Sequence, residues 1–387
     1  MQVFELNPYP GEDEVSYLKR QAYFYRIVKP RKNYGEKSFH MKAGNVKPIS
    51  RKDREEIDAF WLKYLSPNSR TNTLLDGFVD YRFYDVYNKV LRPGERLCEY
   101  MPDTFYGAFV DEFYTNPQHS NACDDKNLYD LYFHDIARPN TLFRKMNNIY
   151  LDRLYNEITL GQAMSIAREQ GEVILKVAKF SYGGHGVLFW NSTNDEAKLK
   201  EFLSASENVI CQSVIKQHPE LSRLNQTSVN TIRIMTFMHN GKVHVLSSVL
   251  RMGVNGARVD NASSGGIVCG IKPNGQLKEV AFDTSAQKYM CHPQGTAFES
   301  VTIPRFKECI NLATSLARRF CSVSRLIAWD LAIDDTGCPI LIEVNFSGGQ
   351  LDFNQLCNGP IFGDLTEDVL KEVFANSYTL KSILKSL

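Results

Sequence analysis

The chain has 387 residues, 43% of them hydrophobic and 23% charged, with a formal net charge of +1. That is the composition of a soluble globular protein with enough core for two or three domains or lobes. The near-neutral balance offers no global field for nucleic acid or a membrane surface, so neither is expected as a partner.

The nine cysteines are scattered and odd in number, and no CxxC pair occurs. This argues against a disulfide framework or a structural zinc site and fits a reducing compartment. The opening residues, MQVFELNPYPGEDEV, lack a charged segment followed by an apolar one, so no signal peptide is expected. No apolar run approaches the roughly 18 residues of a spanning helix. The expectation is a cytoplasmic protein with no membrane insertion.

Residues 1–50 show weak periodicity and several breakers. The basic stretch Lys29–Lys52 contains Gly, Pro and Asn and reads as a solvated loop rather than a nucleic-acid site. Ser50-Arg51-Lys52-Asp53 resembles a capping box with Asp in the Glu place. Ile57, Phe60, Trp61, Tyr64 and Leu65 follow at helical spacing, and Pro67-Asn68-Ser69 ends that helix. Phe78–Leu91 reads as a second helix, and Pro102 opens a third through about Tyr114. Residues 1–115 are therefore expected to be mainly helical, their aromatics serving as core. Next, Lys126 sits in the first turn of a helix, a poor place for a cation. It is either held by Asp124 and Asp125 or aimed at an anion.

Glu172–Lys179 reads as a strand, with Lys176 between Leu175 and Val177. A lysine inside an apolar strand must snorkel or find an anion. Gly183-Gly184-His185-Gly186 follows, a turn whose backbone could approach a phosphate closely, and then a strand from Val187 to Trp190. Asn208–Ile215 is another short strand. Val229–Met238 and Lys242–Arg251 form a hairpin around Asn240-Gly241, a strong type I′ turn signal. That turn pairs His239 with Lys242 and sets Arg233 opposite Ser248. Arg251 then falls opposite Asn230, on the other face, so only a bulge would bring both arginines to one cleft. Gly253–Gly270 is a long polar loop carrying Arg258, Asp260 and Asn261, of the kind that is often functional. Pro304 opens an amphipathic helix to about Phe320, and residues 365–387 read as helical.

Leu326–Asn345 reads as two apolar strands joined by a polar turn. A two-residue turn at Thr336-Gly337 pairs Asp330 with Glu343, whereas a three-residue loop would flip one strand. In the even register Asp330, Glu343 and Asn345 share one face. That face is either solvated or holds a hard cation, since opposed carboxylates repel and Asp, Glu and Asn oxygens suit Mg2+.

The order of these pieces resembles the ATP-grasp superfamily, and in detail its sugar-transfer-associated subgroup. The matching segments are DDKNLYDLYF, VILKVAKFSYGGHGV, QHPELSRLNQTSVNTIRIMT, RVDNASSGG and IAWDLAIDDTGCPILIEVN, across about residues 120–365. The resemblance implies an α+β fold in which two α+β lobes clasp ATP. Residues 1–115 would form the helical N-terminal region, 116–215 the first lobe and 216–387 the second. Lys126 and Lys176 would contact the phosphates, and Gly183, Gly184 and Gly186 would cover them. Gln212, Ser213 and Ile215 would hold the adenine, with Gln212 where many relatives place a Glu. Asp330, Glu343 and Asn345 would bind Mg2+, while Arg233, Arg258 and Asn261 would face the transferred phosphoryl group or the acceptor. The activity implied is an ATP-dependent carboxylate–amine ligase acting through an acylphosphate, in polysaccharide or sugar-conjugate biosynthesis. Its partners would be a small-molecule or sugar carboxylate and an amine. A kinase acting on a sugar hydroxyl is the alternative, and homo-oligomerisation is left open.

Overall fold

In the computed structural model, residues 8–42, 46–65, 77–179, 186–193 and 195–386 are described. The chain opens with helix α1 (Glu14–Tyr23), capped by the Asp13 carboxylate accepting from the Ser16 N–H at 2.9 Å. A π-helical turn, Phe24–Val28, leads directly into helix α2 (Lys29–Lys42). The expected loop at Lys29–Lys52 is thus corrected over Lys29–Lys42. Pro30 has no N–H to give and its ring crowds the preceding turn. It follows immediately on the widened π-helical turn, where the Lys29 N–H reaches back to the Phe24 carbonyl. The second breaker, Gly35, is required by packing. A Cβ there would lie 2.8 Å from Thr104 N and 2.9 Å from Asp103 C. Backbone cannot yield as a flexible side chain would, so Gly35→Ala is expected to lower stability by about 1–3 kcal/mol, measured by urea denaturation. A neutral result would mean that α2 is not seated on residues 103–104.

Helix α3 (Arg51–Trp61) begins with the expected capping box, Ser50 Oγ accepting from Asp53 N and Asp53 Oδ2 accepting from Ser50 N. Its expected terminator, Pro67-Asn68-Ser69, lies outside the described residues. The next helices run Tyr81–Asn88 and, through a π-helical middle, Asp103–Tyr114. Trp61, Tyr84, Phe105 and Phe109 are buried between them, with Trp61 Nε1 donating to Tyr84 Oη at 2.9 Å.

A five-stranded antiparallel sheet has the order β2-β1-β5-β3-β4. Its strands are β1 (Thr141–Met146), β2 (Ile149–Asp152), β3 (Glu172–Val177), β4 (Val187–Asn191) and β5 (Val209–Ser213). Alternation along β3 divides its side chains. Val173 and Leu175 pack with Ala163, Met164, Ala167, Leu199 and Leu203 of the helices Leu160–Gln170 and Glu196–Ala205. Glu172, Ile174 and Lys176 point the other way.

The second sheet has seven strands in the order β10-β9-β8-β7-β6-β11-β12. They are β6 (Thr231–His239), β7 (Lys242–Met252), β8 (Ile267–Ile271), β9 (Leu277–Phe282), β10 (Lys288–Tyr289), β11 (Leu326–Ile333) and β12 (Pro339–Asn345). One face packs Ile232, Ile234, Trp329 and Leu331 against the helix Phe306–Arg319, which starts after Arg305 rather than at Pro304. The other face carries Met235, Phe237 and Ala328 in one continuous core with the N-terminal aromatics and the C-terminal helices Leu351–Asn358, Thr366–Asn376 and Tyr378–Ser386. The N-terminal region is therefore built onto that face of the sheet.

Two registers depart from expectation, and both departures position the site. The β6–β7 turn pairs His239 with Lys242 as expected, with Asn240 and Gly241 both at positive φ. A bulge at Leu246, between the Met235–Ser247 and Thr236–Val245 pairs, then shifts the ladder. Arg233 faces Val249 rather than Ser248, and Arg251 faces Thr231 rather than Asn230. Both arginines consequently share one face. In β11–β12 the Asp334 N–H closes on the Cys338 carbonyl at 3.0 Å, leaving the loop Asp335-Thr336-Gly337 instead of the expected even-length turn. A bulge between Asp330 and Leu331 on the ladder leaves Ile342 unpaired and restores the register, so Asp330 does face Glu343.

Candidate active site

The shared face of β6, β11 and β12 carries a row of directly opposed side chains: Arg233, Asp330 and Glu343. Arg233 donates from Nε to Asp330 Oδ1 at 2.8 Å and from Nη2 to Oδ2 at 2.7 Å. This is the two-pronged arrangement a guanidinium makes with a carboxylate. The bulge at Leu246 brings in Arg251, whose Nη1 donates to Asp330 Oδ2 at 3.2 Å. All three side chains are buried, Asp330 at 2% exposure. Burial alone would raise the Asp330 carboxyl. The Arg233 guanidinium, with Arg251 and the Asn345 amide behind it, outweighs burial and holds it below the usual carboxylate range. Arg233 is itself opposed by burial, but its pairing with Asp330 raises it further above the ordinary arginine value.

Lys126 approaches the end of this row from beside the five-stranded sheet, next to the end of β3. It lies in a short 3-10 turn capped by Asp125, and its backbone N–H bonds the Ala178 carbonyl at 3.0 Å. Its Nζ stands 2.8 Å from Glu343 Oε1. Asp125 turns away to pair with Lys179 at 3.2 Å. Asp124 stays near: burial pushes its carboxyl up, Lys126 draws it down and Glu343 pushes it up again. Lys176 has no ion-pair partner among the described residues. Removal of water from its ammonium lowers it to about 8, with Glu343 opposing that shift and Lys126 adding to it.

Lys126, Lys176, Arg233, Arg251, Asp330, Glu343 and Asn345 line one cleft of about 1070 Å³ between the two sheets. Ser213 and Ile215 line it too. Gln212 does not; it lies under the wall, 6% exposed, paired between Ile174 and Thr141. Gly183 and Gly184 lie outside the described residues, as does His185. Gly186 has φ +74, and its carbonyl accepts the Val177 N–H at 2.8 Å, closing the β3–β4 connection.

Arg258 reaches across the cleft rim to Glu172 Oε1 at 2.6 Å and sits 4.4 Å above the Phe189 ring. Asn261 Oδ1 accepts from Arg251 Nη2, and Asp260 Oδ2 accepts the Thr231 N–H at 3.2 Å. His218 is a cap, its Nδ1 accepting from Glu220 N at 3.1 Å.

Strand periodicity alone sets Arg251 on the wrong face, and the sequence pattern passes over Gln350, Tyr34 and Lys37. Gln350 Oε1 accepts from Arg233 Nη1 at 2.9 Å. Arg251 carried a usable signal, a charge inside an apolar strand like that at Lys176. Tyr34 and Lys37 carried none, because helix α2 itself was not legible.

Among the described residues no three of His, Cys, Asp and Glu form a metal-binding group. The candidate set is two carboxylates and an amide. These hard oxygens are of the type Mg2+ takes when it also shares substrate phosphates. Asn345 Nδ2 is buried and completes no well-aligned hydrogen bond. The amide can be turned end for end, so with a cation between Asp330 and Asn345 its oxygen would replace the Nδ2 that now faces Asp330. Glu343 and Asn345 thus fit a hard cation, which would share Asp330 with its two arginines.

No helix among the described residues is long and apolar enough to cross a membrane. Solved structures with some likeness include D-alanyl-alanine synthetase A from Vibrio cholerae O1 biovar eltor. It matches over 68% of each chain, at 16% identity and a TM-score of 0.41. D-alanine–D-alanine ligase from Bacillus anthracis matches over 70% of this chain and 69% of its own, at 16% identity and 0.36. L-amino acid ligase from Bacillus licheniformis matches over 67% and 50%, at 14% identity and 0.38. No curated protein matches the chain. A family profile matches residues 109–371. This chain belongs to the sugar-transfer associated ATP-grasp family.

Proposed function

We propose that the chain is an ATP-dependent carboxylate–amine ligase that works through an acylphosphate, in the synthesis of a polysaccharide or sugar conjugate. The observation that carries this reading is the row Arg233–Asp330–Glu343–Lys126, with Lys176, which has no ion-pair partner among the described residues, beside it in one cleft. Phosphoryl transfer asks a protein chiefly to position groups and neutralise charge. Four fixed cations around one cleft serve that purpose without reorganising during the reaction.

In this reading Lys126 and Lys176 hold the nucleotide phosphates, and the stretch from Gln212 to Ile215 holds the base through Ser213 and Ile215. Gly183, Gly184 and Gly186 form the phosphate cover. Arg233 stands by the transferred group, while Arg251, braced by Asn261, keeps Asp330 ionised. Arg258 closes the rim through Glu172. Mg2+, when held by Asp330, Glu343 and Asn345, neutralises phosphate charge.

An acceptor carboxylate oxygen bonds to the γ-phosphorus as the bond to the β–γ bridging oxygen breaks, releasing ADP. The amine nitrogen then attacks the acyl carbon, phosphate leaves with the former carboxylate oxygen, and the nitrogen loses a proton. No covalent enzyme intermediate is required. A carboxylate also arrives already ionised, so the first step needs no base.

One observation favours a second reading. The Asp124 carboxyl, raised by burial beside Lys126, is a group that could take the proton of a sugar hydroxyl in a kinase of this fold. Carboxylate-labelled oxygen distinguishes the two. With pools of sugar acids and amines, ligase chemistry carries the label into inorganic phosphate. Phosphorylated acceptor without labelled phosphate, and with no need for an amine, would overturn the ligase reading in favour of the kinase.

A further inference from the structure

Helix α2 lies upstream of the family-matched residues 109–371, yet Tyr34 and Lys37 on it line the cleft. The face of the second sheet that carries Arg233 and Asp330 also carries Met235 and Ala328, packed under the N-terminal region. The N-terminal helices are therefore mounted beside the chemistry. They are also fixed there. Arg31 Nη1 pairs with the buried Asp111 at 3.1 Å and donates to the Gly107 carbonyl at 3.1 Å. Gly35 seats the same helix against Thr104.

We propose that α2 supplies an acceptor subsite for an anionic sugar, with the sugar ring stacked on Tyr34 and its negative group paired with Lys37. This rests on the ligase reading and names the class of its carboxylate substrate. Tyr34 is 65% exposed although it stands in a cleft wall, and no other ring packs on it among the described residues. An aromatic ring with a bare face, carried on an anchored helix, is suited to the apolar C–H face of a pyranose, its hydroxyl to the sugar's polar edge. Lys37 follows about one turn further along the same helix, is exposed, and has no ion-pair partner among the described residues.

The subsite is contiguous with the reacting end of the cleft. Tyr34 lines the same cleft as Asp352 and Arg233. So does Gln350, which is held by Arg233. At about 1070 Å³ the cleft exceeds the roughly 300–1,000 Å³ of ordinary small-molecule pockets. It has space for a second substrate beside a nucleotide. Membership of a sugar-transfer associated family agrees with a sugar in that position.

The test is binding measured by calorimetry on the full chain, saturated with a non-hydrolysable ATP analogue and Mg2+. The probes are glucuronate, glucose 1-phosphate and glucose, and the proteins are wild type, Tyr34→Ala, Tyr34→Phe and Lys37→Met. Anionic sugars are expected to bind wild type at least tenfold more tightly than glucose. Tyr34→Ala and Lys37→Met should each weaken them tenfold or more, Tyr34→Phe less than threefold, and the ATP analogue should bind all four proteins within twofold. Tighter binding of glucuronate than of glucose 1-phosphate identifies a carboxylate as the negative group, and the reverse identifies a phosphate. Anionic sugar binding unmoved by Tyr34→Ala and Lys37→Met would overturn the subsite. So would the absence of such binding in a chain that still turns over ATP with another carboxylate and an amine, which leaves the ligase reading standing. Failure to bind the ATP analogue would overturn both.

Discussion

Asp330→Asn is expected to lower the stability of the nucleotide-free chain by about 3–5 kcal/mol, the usual result of removing one partner from a buried ion pair. The carboxylate is 2% exposed and receives three hydrogen bonds from Arg233 and Arg251, which are themselves buried. With Asn in its place, the three N–H groups that Asp330 now receives are left one neutral oxygen, while Arg233 keeps only Gln350 and Arg251 only Asn261 and Asp260. Glu343→Gln should behave differently. Its side chain is 29% exposed and ion-paired with Lys126 alone among the described residues, so about 1–2 kcal/mol is expected. If the two carboxylates hold Mg2+ at the phosphates as proposed, ATP turnover should fall by about 100–1,000-fold in both variants. Urea denaturation at matched m-values separates the two effects. Asp330→Asn as stable as Glu343→Gln would mean that the two arginines are not held by this carboxylate. Normal turnover in either variant would remove the phosphate site from this row.

The second large effect concerns Lys176. ATP should bind the wild type progressively more weakly above pH of about 8, by up to tenfold per unit for one coupled proton. Loss of water around the ammonium lowers Lys176 to about 8 in the nucleotide-free chain, and a phosphate partner favours the protonated form. Binding therefore takes up a proton in that range, which calorimetry in buffers of different ionisation heat detects. Lys176→Met should bind ATP about 10–100-fold more weakly below pH 8, the size of one hydrogen bond to a charged group, and lose this pH dependence. A wild-type profile flat from pH 7 to 9.5 would show that Lys176 does not face the phosphates. The same shift bears on stability. The folded value lies below the ordinary 10.5, so the folded chain binds fewer protons than the unfolded one between about 8 and 10.5. The charged lysine thus destabilises the nucleotide-free fold fully below about 8, and that penalty fades as pH rises toward 10.5.

Strong local chemistry made much of this legible. The Ser50 box and the Asn240-Gly241 turn each act through a few adjacent atoms, and both occur where expected. Lys176, set between Leu175 and Val177, stood out as a charge in an apolar strand, and it does line the cleft. The rest depended on contacts distant in sequence. Pro30 and Gly35 read as breakers because nothing nearby reveals the π-helical turn or the Thr104 backbone that accommodate them. The bulges at Leu246 and Ile342 involve no glycine and leave no mark in the hydrophobic pattern. Each reverses the alternation on which the face of every later residue depends. One such bulge brought Arg251 into the site, and the other kept Asp330 opposite Glu343 despite an odd-length loop.

The bulge at Ile342 has a second effect, on how densely a strand can furnish a cavity. A regular strand offers a given side only every other residue. Here the consecutive residues Ile342 and Glu343 both line the cleft, while Leu341 and Val344 stay buried on the far side. A greasy surface and a carboxylate are thereby laid edge to edge on one strand, without a loop to carry either. Such a pairing suits a ligand whose flat apolar part adjoins a highly charged tail, which is how a nucleotide is built.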